Sequence, residues 1–158
     1  MPPNNKSRGK YFEDKIAESI RRELRLTKRD IHRNISSGVA LFEYGDIWLP
    51  WPCILECKYY KTFEVRHILE EKDYILNWLN KQVYQEVERF RKLQKSEPFY
   101  AVVIGKPYHP SYVVTMKENA KNNDFIELDN ILPRIETQHL VSFPLQNFIA
   151  LIKKFKGV

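Results

Sequence analysis

The sequence predicts an α/β domain in which a mixed β-sheet is covered by helices on both sides. Two observations lead to this fold class: a helical repeat of apolar residues near each end and in the middle of the chain, and short apolar or alternating runs between them. The 158 residues suit one domain with one core. We therefore expect a single domain over residues 1–158, with a flexible basic start at 1–8 and the element order α-β-β-β-α-β-β-α.

The first half of the chain contains one predicted helix and three predicted strands. Phe12 begins an apolar repeat of one residue in four, which predicts an amphipathic helix from Gly9 to Leu26. The strands are predicted from alternation and from the turn and proline signals that bound them. They cover Ile31–Ser36, Leu41–Leu49 and Cys53–Tyr60.

The second half begins with a long helix, because the apolar residues of Tyr74–Leu93 fall on one broad side of a helical wheel. Phe99–Ile104 is continuously apolar, which is typical of a strand buried on both faces. One further strand is predicted at Tyr112–Met116. Val141–Phe143 then leads into a last helix, with Pro144 in its first turn. The stretch 117–138 shows no pattern from which an element is predicted.

Composition excludes several classes of protein. Apolar residues make up 43% and charged residues 29%, which argues against disorder, and no apolar run approaches the roughly 20 residues of a membrane helix. The start lacks the apolar core of a signal peptide. Cys53 and Cys57 would lie roughly 13 Å apart on one strand, too far for a disulfide. We therefore expect no membrane partner and a reducing, cytoplasmic location, which is the host cytoplasm if the protein is viral.

Positive charge is concentrated at the start of the chain. Residues 1–33 hold ten basic and five acidic residues, or +5 of the total +6. A basic end on an otherwise balanced domain is typical of proteins that bind phosphate backbones. A solubilising helix face remains an alternative. An anionic membrane is disfavoured, because the first helix mixes acids with its bases and has no Trp- or Leu-rich face to insert.

Three charged residues on neighbouring predicted strands indicate chemistry. Glu56 and Lys58 are two apart on a strand and so project to one side. A hairpin through Pro50–Pro52 would bring Asp46 opposite Glu56. Two carboxylates on such apolar strands are costly unless they bind a partner, and a hard divalent cation suits carboxylates plus a backbone carbonyl. Lys58 would orient an attacking water and offset charge on a phosphate. A structural Glu56–Lys58 salt bridge is the alternative.

Glu13 adds a third carboxylate to this group. It shares a helix face with Ala17 and Ile20, so it borders the apolar stripe and points toward the edge of the predicted sheet. An acid in the first turn of a helix also favours the helix dipole, which is the simpler explanation. A third acid near Asp46 and Glu56 would nevertheless be costly in a site without cations.

These residues together resemble the archaeal-type Holliday junction resolvases of the PD-(D/E)XK nuclease superfamily. The resemblance rests on Gly9-x3-Glu13, Arg33, Ser37-Gly38, Gly45-Asp46-Ile47 and Glu56-Cys57-Lys58. It extends over nearly the whole chain, since the long helix, the central apolar strand and the last helix occupy the corresponding places. It implies a restriction-endonuclease-like fold and a homodimer that cuts four-way DNA junctions with Mg²⁺, for which Mn²⁺ could substitute.

The resemblance also implies roles for individual residues. Glu13, Asp46 and Glu56 would form the acidic metal cluster together with the backbone carbonyl of Cys57, and Lys58 would be the catalytic lysine. Ser37 would belong to a mobile catalytic loop. Gln82 resembles a helical glutamine that many of these nucleases place near the metal, although a glutamine bonded inside the core is equally compatible. The DNA contacts would be Lys6, Arg8, Lys10, Arg33, Ser37 and Lys61.

Two positions depart from the pattern of the resolvases. Gly45 replaces the usual proline, which we expect to loosen the turn while sparing the next carboxylate. Asp14 stands where some members carry an arginine. Two other interpretations remain open: a repair or restriction nuclease of the same superfamily, and a non-catalytic DNA-binding module in which Asp46, Glu56 and Lys58 are structural ion pairs.

Overall fold

The computed structural model describes residues 5–28, 31–33, 45–49, 52–123 and 134–156. Its helices are α1 (Asn5–Leu24), α2 (Val65–Leu69), α3 (Asp73–Asn77), α4 (Val83–Gln94), α5 (Lys117–Asn122) and α6 (Leu145–Lys156), with a π-helical turn at Trp78–Gln82. Its strands are β1 (His32–Arg33), β2 (Ile47–Trp48), β3 (Cys53–Tyr59), β4 (Phe99–Gly105), β5 (Tyr112–Met116), β6 (Ile135–Glu136) and β7 (Leu140–Pro144).

Five strands form an open mixed sheet in the order β3-β4-β5-β7-β6. The β3–β4 pair is parallel, and the other neighbours are antiparallel. Every residue of β4 is buried, as the apolar run predicts. β3 lies at one edge of the sheet, so one side of its backbone faces no strand of this sheet. The mixed sheet with helices confirms the predicted α/β class and is consistent with a restriction-endonuclease-like fold.

Two apolar layers hold the sheet between helices. On one face, α1 and α6 pack through residues such as Phe12, Ile20 and Phe148 against Leu55 and Val103. On the other face, the helical region from α2 to α4 packs against alternate strand residues, among them Ile54, Tyr100, Val102, Ile104 and Val114. Strand alternation thus sends odd and even positions of β3 into different layers. No helix among the described residues has the length and apolar character needed to cross a membrane.

The predicted elements are largely present, with different boundaries. Helix α1 begins at Asn5 rather than Gly9, so residues 5–8 of the expected flexible start are helical, whereas 1–4 lie outside the described residues. The long middle helix is present but includes the π-helical turn. The predicted Tyr112–Met116 strand is confirmed. Helix α5 and strand β6 lie in the stretch 117–138, for which the sequence predicts no element. Strand β7 is also not predicted, and it includes Pro144, so the last helix begins one residue later, at Leu145.

Among the described residues, the second and third strands do not form the ladder of the expected hairpin, of which residues 41–44, 50 and 51 lie outside the described part. Within the described residues, β2 pairs with β1 in a separate two-stranded antiparallel sheet. The residue before β2 nevertheless reaches β3, because the Asp46 N–H donates to the Leu55 carbonyl at 2.8 Å. Asp46 therefore lies next to the third strand, as predicted, although the ladder that was expected to bring it there is not formed among the described residues.

Candidate active site

Asp46 is fixed by the open backbone edge of β3. Its own N–H donates to the Leu55 carbonyl, and its Oδ2 accepts the Cys57 N–H at 2.7 Å. The two bonds satisfy backbone groups that an edge strand would otherwise leave unpaired. Asp46 is consequently only 9% exposed and has its carboxylate held against the strand.

Gly45 is what allows this approach. Its φ is +69°, a conformation that side chains with a Cβ rarely adopt, and a Cβ placed there would lie 2.6 Å from the Leu55 oxygen. Glycine at this position therefore has a steric role that the expected loosening of the turn does not include. The missing Cβ lets the chain come close enough for Asp46 to bond both backbone groups of β3.

Glu56 lies beside Asp46 and is half-buried. Burial, followed by the negative charge of Asp46 and a hydrogen bond between the two carboxyl groups, raises the pKa of Glu56 far above its usual range. The charge of Lys58 lowers the pKa of Glu56, but it does not offset these causes. The pair therefore retains a proton unless a cation takes its place.

Lys58 is held by the middle helix. Its Nζ donates to the Gln82 Oε1 at 2.5 Å and lies 5.6 Å from the centre of the Trp78 ring. Both partners belong to the π-helical turn, a helix defect that is frequent at functional sites. Gln82 is exposed, so it is not the core glutamine of the alternative interpretation. The Lys58 ammonium group bonds Gln82, and a Glu56–Lys58 salt bridge is not among the ion pairs of the described residues.

Glu13 approaches the same site from α1. Burial and then the charge of Asp46 raise the pKa of Glu13 to about 7, while Arg33 acts in the opposite direction. The Arg33 Nη1 lies 3.9 Å from the Glu13 Oε2, and its Nε bonds the Asp14 Oδ1 at 3.2 Å. Asp14, where some resolvases carry arginine, thus anchors Arg33 beside Glu13.

The remaining predicted residues lie around this centre or outside the described part of the chain. Arg8 and Lys10 are on α1, and Lys61 is in the turn after β3. Lys6 is in the first turn of α1, but the structure does not describe its side chain, and Ser37 lies outside the described residues. Sequence reasoning missed Trp78 and Glu86. Glu86 adds a further negative charge near Glu56, and its spacing of four from Gln82 on one helix was the signal for it.

The donor set fits a hard divalent cation. Asp46 and Glu56 offer carboxylate oxygens, and the Cys57 carbonyl points to the same open edge as its N–H because both groups of a strand residue face one side. Oxygen ligands of this kind suit Mg²⁺ or Mn²⁺. Within the described ranges, however, no three His, Cys, Asp or Glu side chains are grouped as ligands of one ion.

Comparison with known proteins bears on the same centre. The model of a protein family described as "Phage putative PDDEXK endonuclease" matches residues 4–151 of the 158-residue chain. The match includes every residue of the candidate active site. It supports the superfamily that the sequence motifs indicate, but not membership of the archaeal resolvases. No curated protein and no solved structure matches the chain significantly.

Proposed function

Since the chain belongs to the phage PDDEXK endonuclease family, we propose that it is a metal-dependent endonuclease that hydrolyses phosphodiester bonds of DNA. The observation that carries this proposal is the carboxyl pair at the edge of β3. Asp46 is bonded to the strand backbone, Glu56 is hydrogen-bonded to Asp46, and Lys58 follows two residues later. Nucleases of the superfamily generally depend on divalent metal ions, which suits this pair.

Asp46, Glu56 and the Cys57 carbonyl would hold the cation, which we propose is Mg²⁺, with Mn²⁺ able to substitute. When bound, it supplies Lewis-acid polarisation of the phosphate and of the attacking water. Asp46 is well suited to this role because its carboxylate is already oriented by the Cys57 N–H. Little rearrangement is then needed when the ion and the substrate arrive.

Lys58 places a positive charge beside the carboxyl pair. Gln82 accepts one of its three ammonium protons, which leaves two for a phosphate oxygen and a water. An ammonium group fixed before the reaction stabilises charge that develops on the phosphate without the cost of reorganisation. Glu13, positioned near Asp46 and Arg33, would hold a second ion or its water.

For the substrate, we propose branched DNA, namely a four-way junction cut by a homodimer in the cytoplasm. The support is the resemblance of the motifs to junction resolvases and the concentration of +5 in the first 33 residues. One domain of this size contacts too little DNA to recognise the shape of a junction. Two copies related by a twofold axis would place one scissile phosphate in each site.

The decisive experiment is incubation with a synthetic four-way junction, a flap and a linear duplex of matched sequence, each with and without Mg²⁺. Paired nicks symmetric about the branch point, seen only with Mg²⁺, are expected. Equal cutting of the duplex by a protein that sediments as a monomer would replace the resolvase proposal with a general nuclease. Absence of cutting on all three substrates would favour the non-catalytic DNA-binding module.

A further inference from the structure

A groove of about 470 Å³ lies between the N-terminal part of α1 and the end of β3. It shares Cys57 and Lys58 with the candidate active site and continues along the chain to Thr62. Across from this strand end, α1 contributes Arg8 and Gly9. The volume of the groove falls within the range of roughly 300–1,000 Å³ that is common for ligand sites.

Gly9 has no evident structural reason to be glycine. It is inside a 20-residue helix, where glycine is less favourable than alanine. Among the described residues, a Cβ built on Gly9 meets no atom within 4 Å outside the adjoining turns of its own helix, so close packing there does not require glycine either. Gly9 and Glu13 are four residues apart and so lie on one face of α1. The glycine therefore leaves open the part of this face that continues from the active site.

The charged side chains that line the groove are basic. Arg8, Lys58 and Lys61 line it, and none of the described residues that line it is acidic. Within the described part of the chain, no ion pair to an acid involves any of these three residues. Two arginines elsewhere on the surface are paired with acids: Arg66 bonds Glu64 and Glu70, and Arg91 bonds Glu88 and Glu97. The cations of the groove are thus left for an external anion.

We propose that this groove binds the phosphate adjacent to the scissile one in the cleaved DNA strand, and that Gly9 is a positioning residue that keeps α1 bare so that the strand can lie against it. The proposal rests on the proposed nuclease function and deepens it. Lys61 and Arg8 would contact the adjacent phosphate directly. Gly9 would act by the absence of a side chain, which allows a close approach of backbone to ligand.

The first test replaces Gly9 by alanine and by leucine, both good helix formers. A purely structural position predicts equal or higher thermal stability and unchanged kinetics. The groove predicts the same gain in stability with a raised KM for DNA, by about tenfold for leucine, the loss of roughly one charge-assisted contact. Glu23→Leu, at an exposed site near the other end of α1, is the control for added apolar bulk.

The second test uses a DNA strand with one neutral methylphosphonate next to the cleavage position, and measures binding without divalent cations. Lys61→Ala should weaken binding of ordinary DNA and reduce the salt slope by about 0.9, but should not weaken binding of the modified strand further. An unchanged KM for both Gly9 variants, or equal losses on both strands, overturns the groove assignment. Failure of the wild-type protein to cut any DNA would instead overturn the proposed function.

Discussion

Glu71 and Glu56 carry the same carboxyl group, but their surroundings shift its pKa in opposite directions. Glu71, between α2 and α3, accepts hydrogen bonds from the Thr137 hydroxyl at 2.5 Å and the His139 N–H at 2.8 Å. Its other oxygen lies 2.9 Å from the His139 Nδ1. These bonds, that of Thr137 first, lower the pKa of Glu71 to about 2. At the β3 edge, by contrast, burial and Asp46 raise the pKa of Glu56.

The opposite pKa shifts show that Glu71 stabilises the folded protein, whereas Glu56 destabilises it when no cation is bound. Glu71 joins the α2–α3 connection to the β6–β7 turn, and its negative charge is favoured by the donors around it. The charge of Glu56 is disfavoured until a cation arrives, so it costs stability in the metal-free protein. A carboxyl group whose pKa is strongly raised by its surroundings is typical of functional sites, which supports a binding role for Asp46 and Glu56.

The largest effect that would test this comparison is loss of cleavage in Glu56→Gln or Asp46→Asn. Each should lower cleavage by about 1,000-fold, equivalent to roughly 4 kcal/mol of transition-state stabilisation, because a metal ligand is lost. DNA binding should be retained or tightened, since one negative charge facing phosphate is removed. Single-turnover kinetics and a binding assay give both quantities.

The same variants should not unfold the protein. Since the pKa of Glu56 is raised in the folded protein, the wild type has to take up a proton on folding at neutral pH. A glutamine at position 56 is neutral in both states, so we expect a melting temperature at or above that of the wild type in the absence of divalent ions. A clear drop in melting temperature, or substantial Mg²⁺-dependent cleavage by either variant, would contradict the assignment of this pair as metal ligands.

The second largest effect concerns Lys58. Its replacement by alanine should lower kcat by about 100-fold, the usual cost of one preorganised electrostatic contact, with a smaller change in metal affinity. Gln82→Ala should reproduce a fraction of that loss, because it frees the ammonium without removing it. Cleavage rates measured over a series of metal concentrations give both kcat and the metal affinity of each variant. Equal loss in the two variants would mean that Gln82 itself contacts the substrate.

Much of the edge site could be predicted from the sequence, because strand periodicity is local. The spacing of Glu56 and Lys58 places them on one side of any strand, and the apolar run at Phe99–Ile104 identifies the central strand. The pairing of β2 with β1 could not be predicted in this way, since alternation fixes the face of a short strand but not its neighbour.

Features that depend on tertiary packing could not be predicted either, because sequence patterns report only local structure. The π-helical turn leaves the helical repeat of apolar residues nearly unchanged, so nothing in the pattern marks Trp78 or Gln82 as its members. Glu71 bonds residues 66 and 68 positions away, and its neighbours in the sequence give no sign of them. Gly45 shows its role only when the Leu55 carbonyl lies against it.

At the other site, the comparison predicts a loss of stability without loss of activity. Glu71→Gln keeps the size of the side chain but removes the charge that strengthens its hydrogen bonds, so we expect the free energy of unfolding to fall by about 1–2 kcal/mol. Glu70→Gln is a matched control, because its exposed ion pairs with Arg66 and Lys72 contribute little. Chemical denaturation gives the stabilities, and cleavage of DNA should be unchanged in both variants.

The smallest expected effect is the pH dependence of the stability lost in Glu71→Gln. It tests directly whether the charge of Glu71 stabilises the fold. The pKa of Glu71 is lower in the folded protein, about 2, than its usual value of 4.5, so the unfolded chain binds the proton more readily. The contribution of Glu71 is therefore complete above the higher value and is lost as the pH falls toward the lower one. The stability difference between wild type and Glu71→Gln, measured by urea denaturation at a series of pH values, should be constant near neutrality and shrink steadily in acid. A difference that stays constant down to the acid limit would mean that shape, rather than charge, makes Glu71 stabilising.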